Sequence, residues 1–135
     1  MTAIKTIGIL GAGQLGRMIA VAAAQMGIRA HIFAPDAKDS PAAEVAQTFT
    51  QANYDDADAL AAFGRSIDAV TSEFENVPAT TMDMLAAFCP VSPGRDALHL
   101  AQNRLREKKL AAHLGIKTPS FWVARSADDL ASALC

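Results

Sequence analysis

The sequence predicts an α/β chain built on a parallel sheet with helices on both faces. Three observations carry that expectation. The run KTIGIL at 5–10 is apolar and ends in glycine, as a buried parallel strand does. An Ala-rich segment at 14–27 then reads as a helix closed by Gly27, and RAHIFA at 29–34 reads as a second strand stopped by Pro35 and Asp36. The same alternation of strand and helix continues down the chain, which favours parallel pairing.

Each later element has its own signal. The stretch 41–46 is expected to start a short helix and 48–50 to form a brief strand. Asp55 and Asp56 supply N-cap carboxylates for a helix running to about residue 64. The run IDAVTS at 67–72 makes the next strand, 79–88 a helix behind Pro78, and PVSP at 90–93 a clipped strand or sheet edge. The pattern changes near residue 94. A single long helix is expected over 96–114, with Leu98, Ala101, Leu105, Leu110 and Leu114 roughly along one face and Gly115 as its stop. A strand at 120–124 and a helix capped by Ser126, with Asp128 and Asp129 in its first turn, complete the reading. The expected organisation is a first domain over 1–95. Residues 96–135 are then a linker helix and the beginning of a second domain whose remainder is absent, because a lone strand and helix cannot close a core.

Composition narrows the class. Of the 135 residues 51% are hydrophobic and 19% charged, which suits a globular core and excludes a disordered chain. A net charge of −2 leaves no footprint for nucleic acid or an anionic membrane. Cys89 and Cys135 match no metal-ligand spacing, and Cys89 in the run AAFCPV reads as an inert buried thiol in a reducing compartment. Lys5 followed by apolar residues faintly imitates a secretory signal, but Gln14 and Arg17 interrupt the run where a signal needs its apolar centre. No segment approaches the roughly 20 apolar residues of a membrane span. A cytoplasmic protein is expected.

Three segments carry chemistry. Gly11, Gly13 and Gly16 match G-x-G-x-x-G between a strand and a helix. Small residues there permit a tight turn and bring helix-start amides toward an anion, unless they only let strand and helix pack. Asp36 stands where a dinucleotide site keeps its ribose-binding acid, yet Pro35 beside it is equally consistent with a turn cap. The segment SEFENVP at 72–78 falls at the carboxyl end of a strand, where open α/β sheets place ligands. As strand residues, Glu73 and Glu75 would share one side with Phe74 opposite, and two carboxylates suit sugar hydroxyls or an amine. A solvated loop is the plainer alternative. In the charged run 102–109, Arg104 suits bidentate contact with phosphate, although such a run is usually a solvated helix face.

Together GILGAGQLGRM at 8–18, SEFENVP at 72–78 and PGRDALHLAQNRLREKKLAAHLGIKTP at 93–119 resemble the N5-carboxyaminoimidazole ribonucleotide synthetase family of the ATP-grasp superfamily. The resemblance implies a Rossmann-like pre-ATP-grasp domain that is not a dinucleotide binder, followed by the start of an ATP-grasp domain. It implies a ligase that uses ATP and Mg2+ to activate bicarbonate as carboxyphosphate. The amine of 5-aminoimidazole ribonucleotide then captures the carboxyl group in purine biosynthesis. Gln14, Leu15 and Glu73 are implied to hold the ribonucleotide, Gly11, Gly13 and Gly16 to form the phosphate loop, and Arg104 to bind ATP phosphates. Neither catalytic residues nor metal ligands are expected in this chain, and full-length members are expected to be homodimers. Family members run to several hundred residues, so the piece alone is expected to be inactive. A formate-dependent glycinamide ribonucleotide transformylase shares the architecture, but shows glutamate where Gln14 stands and lacks the EFENVP wording. A NAD-binding module and a fragment without ligand affinity are the alternatives from other classes.

Overall fold

The computed structural model describes residues 4–133. Its elements are β1 (Thr6–Leu10), α1 (Gln14–Gln25), β2 (Arg29–Ala34), β3 (Thr48–Gln51), α2 (Ala57–Arg65), β4 (Ala69–Ser72), α3 (Ala79–Ala86), α4 (Arg95–Ala101), α5 (Arg104–His113) and α6 (Ala127–Ala133). They fall into two compact units divided between His99 and Leu100. The first holds a four-stranded sheet in the order β3-β2-β1-β4 with every pair parallel, as the alternation of elements predicts.

The two central strands are buried on both faces, which is why they read as near-continuous apolar runs. Successive strand residues point to opposite faces, so Leu10 and Phe33 enter one core while Ile9 and Ile32 enter the other. On the first face α2 and α3 supply Leu60, Phe63, Met82 and Leu85, with Val70 from β4. On the other, Ala20 of α1 packs with Ala12, Ala37 and Ala42, small residues that let the helix lie close to the strands. Cys89 is buried in the first core, its thiol facing the Leu85 carbonyl at 3.8 Å and pushed up by burial, as expected of an inert thiol. Cys135 lies outside the described residues. Among the described residues no helix is long and apolar enough to cross a membrane.

The cap residues behave as their chemistry dictates. Asp56 accepts from the Ala59 amide at 3.0 Å and starts α2, and the Ser126 hydroxyl accepts from the Asp129 amide at 3.1 Å before α6. Val91 makes a single parallel bridge to Val70, the clipped edge expected of 90–93. Three expectations fail. The stretch 41–46 forms turns rather than a helix, drawn toward α1 by the Ala42 amide on the Ala12 carbonyl at 3.1 Å and by the Arg17–Glu44 ion pair at 2.6 Å. The helix expected over 96–114 is two helices, because the Asn103 side chain accepts from the Arg106 amide at 3.1 Å and caps a new start. The residues 120–124 are not a strand, and among the described residues nothing in the second unit offers them a ladder to join.

His31 of β2 is a buried polar residue whose protonation state follows from its partners. The Ser66 hydroxyl donates to the Phe63 carbonyl at 2.7 Å, so its oxygen accepts from His31 Nδ1–H at 3.0 Å. His31 Nε2 is then the acceptor for the Thr50 hydroxyl at 2.8 Å. The Phe63 ring stands edge-on at 4.8 Å, and burial lowers the imidazole below its usual value. A depressed histidine contributes stability that is complete above the unfolded-state value and lost as pH falls through it toward the native one. Stability by urea denaturation is therefore expected to decline below about pH 6.5, and His31→Gln should remove that slope. A wild-type curve flat from roughly pH 8 to 5 would contradict the neutral assignment.

Candidate functional site

The ladder that ends β1 and β4 builds the site. Leu10 pairs with Ser72, and the next amide, Glu73 N–H, donates to the Leu10 carbonyl at 3.0 Å. On the other flank Gly11 N–H donates to the Phe33 carbonyl at 3.0 Å. The turn after β1 and the first residue after β4 are thereby fixed side by side at the carboxyl end of the sheet. From there the Glu73 side chain reaches over the glycine loop, and its Oε1 accepts from Gly13 N–H at 3.0 Å. Gly11 has φ of +110°, and a Cβ on it would fall on the Glu73 carboxylate, so only glycine fits. A Cβ on Gly16 would come within 3.2 Å of the Gly11 carbonyl and 3.3 Å of Ala42 Cβ, which accounts for the third glycine by packing.

Beside this contact is a cavity of about 470 Å³ lined by Gly11, Gly13, Asp36, Tyr54, Glu73 and Phe74, with Ala12 and Pro35. Its lining carries two carboxylates and no lysine or arginine. A pyrophosphate laid over the loop would meet the Glu73 carboxylate where a dinucleotide needs a free amide. Hydroxyls, which donate to carboxylates, suit the same walls. The polar side chains of the lining are Asp36, Glu73 and Tyr54, two acceptors and a phenol. Tyr54 is pushed up to about 12, by burial first and then by Asp36 and Glu73, and its phenol stays protonated.

The structure brings together Gly11, Gly13, Gly16 and Glu73, four of the residues singled out from sequence. Asp36 joins them on the cavity wall while also standing in a turn closed by Ala37 N–H on the Ala34 carbonyl at 3.3 Å, so its two readings are compatible. Gln14 and Leu15 open α1 with exposed side chains, and Gln14 lines a shallow groove with Arg17, Met18 and Val21 rather than the cavity. What these positions present toward the loop is backbone, since the first helical bond runs from Arg17 N–H to the Gly13 carbonyl. Strand alternation does not extend past Ser72. The chain bends, held by the Ser72 hydroxyl on the Phe74 carbonyl at 2.8 Å, so adjacent Glu73 and Phe74 share the cavity while Glu75 faces solvent.

Arg104 belongs to the second unit, as the first residue of α5. It pairs with Glu107 at 3.0 Å and lines a pocket of about 290 Å³ with Lys108, Phe121 and Trp122. The Lys108 ammonium sits 5.8 Å from the Phe121 ring centroid. Sequence reasoning missed Tyr54. The available signal was a lone tyrosine in the loop after β3, directly before the Asp55–Asp56 cap and so at the carboxyl end of the sheet.

Two measurements test this geometry. Gly11→Ala forces a left-handed backbone and a clash together, and is expected to cost about 2–4 kcal/mol in urea denaturation. A neutral result would mean that the loop differs from the one described. Because the chain has one tyrosine, its ultraviolet titration reads Tyr54 alone. The midpoint is expected near the value of about 12, with Glu73→Gln lowering it, and an ordinary midpoint would contradict the burial.

The relatives agree with the fold. The N5-carboxyaminoimidazole ribonucleotide synthase of Brucella melitensis is 43% identical over 130 residues, covering 96% of this chain and 36% of that protein. The crystal structure of N5-carboxyaminoimidazole synthetase from Staphylococcus aureus complexed with ADP superposes with a TM-score of 0.86 at 38% identity, over 96% of this chain and 35% of the other. The Aspergillus clavatus synthase in complex with ADP and 5-aminoimidazole ribonucleotide superposes with a TM-score of 0.78 at 25% identity, over 95% of this chain and 35% of the other. The chain thus spans about a third of the length of these relatives. Over residues 4–102 it matches the model of the ribonucleotide synthetase pre-ATP-grasp domain, and it belongs to that family.

Proposed function

We propose that this chain supplies the ribonucleotide-binding end of an ATP-dependent carbon–nitrogen ligase. The ligase carboxylates 5-aminoimidazole ribonucleotide with bicarbonate to N5-carboxyaminoimidazole ribonucleotide in purine biosynthesis. The observation that carries the reading is the Glu73 carboxylate folded into the glycine loop on the Gly13 amide. It disfavours a pyrophosphate and leaves a cavity suited to sugar hydroxyls. In this reading Glu73 accepts from the ribose, and the amides of Gln14 and Leu15 at the start of α1 face the monophosphate. The Aspergillus relative, solved with ADP and 5-aminoimidazole ribonucleotide, supports the choice of ligand.

Arg104 is proposed to bind ATP phosphate. Its pocket, with Lys108 on the same wall, has the cationic character a polyphosphate needs. Among the described residues no group of three or more acidic, histidine or cysteine side chains is placed to hold a metal ion. The same proposal includes a cytoplasmic setting, a homodimeric full-length enzyme and no ATP turnover by the 135 residues alone. Phosphoryl transfer depends on positioning and on charge neutralisation by metal and cations together.

In the full-length protein, Glu73→Gln is expected to raise the ribonucleotide KM by about 10- to 100-fold, the worth of hydrogen bonds to a charged group. The ATP KM should stay close to its original value. An unchanged ribonucleotide KM would remove Glu73 from the site. Thermal shifts add a class test, because stabilisation by NAD and not by the ribonucleotide would favour a dehydrogenase-type module instead.

A further inference from the structure

Tyr54 is built into the cavity from three sides. Thr81, fully buried in α3, donates its hydroxyl to the Tyr54 carbonyl at 2.7 Å and fixes the backbone. The ring is flanked by Phe33 at 6.1 Å and stacked on Phe74 at 6.5 Å between centroids. The phenol carries its charge coupling to Asp36 and Glu73, the two carboxylates of the lining, and among the described residues it has no hydrogen-bond partner. A hydroxyl held this firmly and left without a partner on a cavity wall is placed for a ligand.

The chemistry of the walls selects that ligand. Asp36 and Glu73 only accept hydrogen bonds when ionised. The amides of Gly11 and Gly13 are already engaged, by the Phe33 carbonyl and by Glu73. Tyr54 is therefore the side-chain donor of the lining. A cationic amine would satisfy the carboxylates but offer the phenol nothing to accept with. A phosphate would accept from the phenol but meet two like charges. A hydroxyl group does both, donating to a carboxylate while accepting from the phenol.

We propose that Tyr54 and Asp36 complete, with Glu73, a three-group recognition site for a vicinal diol, in which the Tyr54 hydroxyl is the donor and the two carboxylates are the acceptors. This deepens the proposed function and rests on it: the diol is that of the ribose, and Tyr54 is a specificity-determining residue for the ribonucleotide. The ring pair with Phe74 forms the apolar floor against which the sugar lies. Because the phenol remains protonated well into alkaline solution, its donor role does not titrate over the working range.

The test uses the full-length protein and the single variants Tyr54→Phe and Glu73→Gln with their double variant. Tyr54→Phe keeps the ring and removes only the donor. It is expected to raise the KM for 5-aminoimidazole ribonucleotide about 3- to 10-fold, with kcat, the ATP KM and the unfolding temperature unchanged. Since Tyr54 and Glu73 act on one diol, the double variant should lose less than the product of the two single losses. Inhibition by ribose 5-phosphate should weaken in Tyr54→Phe, whereas the 2-deoxyribose compound should be affected less. An unchanged ribonucleotide KM, or single losses that simply multiply, overturns the diol site while leaving the ligase reading in place. Failure of the wild-type protein to bind the ribonucleotide at all overturns both.

Discussion

A carboxylate sixty residues downstream occupies the amide of a glycine loop, and the architecture of the first unit converges on that contact. It exists because β1 is flanked by β2 and β4 in parallel, so their carboxyl ends align and Glu73 leaves the sheet beside Gly11. The ladder continues one amide past β4, to the Leu10 carbonyl, and this last bond sets the direction of the Glu73 side chain. The glycine at position 11 is a consequence of the same contact, since any side chain there would displace the carboxylate.

The remainder of the unit holds this corner still. Phe33 stands at the end of β2, fully buried, against Phe63 at 5.0 Å and Tyr54 at 6.1 Å. One aromatic cluster therefore runs from the interior to the cavity wall. Val77, also fully buried, anchors the segment after Glu73, and its amide on the Phe74 carbonyl closes the bend. On the opposite face the turns at 41–46 pack Ala42 against the loop and Gly16, so loop, helix start and carboxylate share one packed neighbourhood.

What was legible in the sequence follows from how local each signal is. The bounds of β2 were legible to the residue because its apolar run is closed off by Gly27 on one side and Pro35 on the other. The caps at Asp56 and Ser126 were legible for the same reason, being decided within three residues. Asn103 carried the same kind of signal and was overridden by the helical character of 96–114, though its side chain starts a new helix. The strand expected at 120–124 failed because strand structure is a property of pairing, which residue type alone does not supply. At the site, the glycines and Glu73 were legible as motifs, and their contact was not. The pairing of Glu73 with Phe74 on one wall, and the presence of Tyr54, depend on a bend and on packing between β3, α3 and β4 that no short window encodes.

The glycine spacing left its ligand undecided, and the structure shows why spacing was insufficient. G-x-G-x-x-G fixes a backbone shape, whereas the sign of charge that shape accepts is decided by what lies next to it. With open amides and a helix dipole the loop attracts anions. With an ionised carboxylate bonded to the second glycine, the local field reverses, and the groups that enter favourably are hydrogen-bond donors. The cavity lining, two carboxylates, one phenol and no cation, is consistent throughout with that reversal. A phosphate would be met more favourably beyond this lining, by the amides that open α1, than by the two carboxylates of the cavity. In the proposed reading recognition is divided accordingly along the ligand, with hydroxyls selected by side chains and phosphate met by backbone.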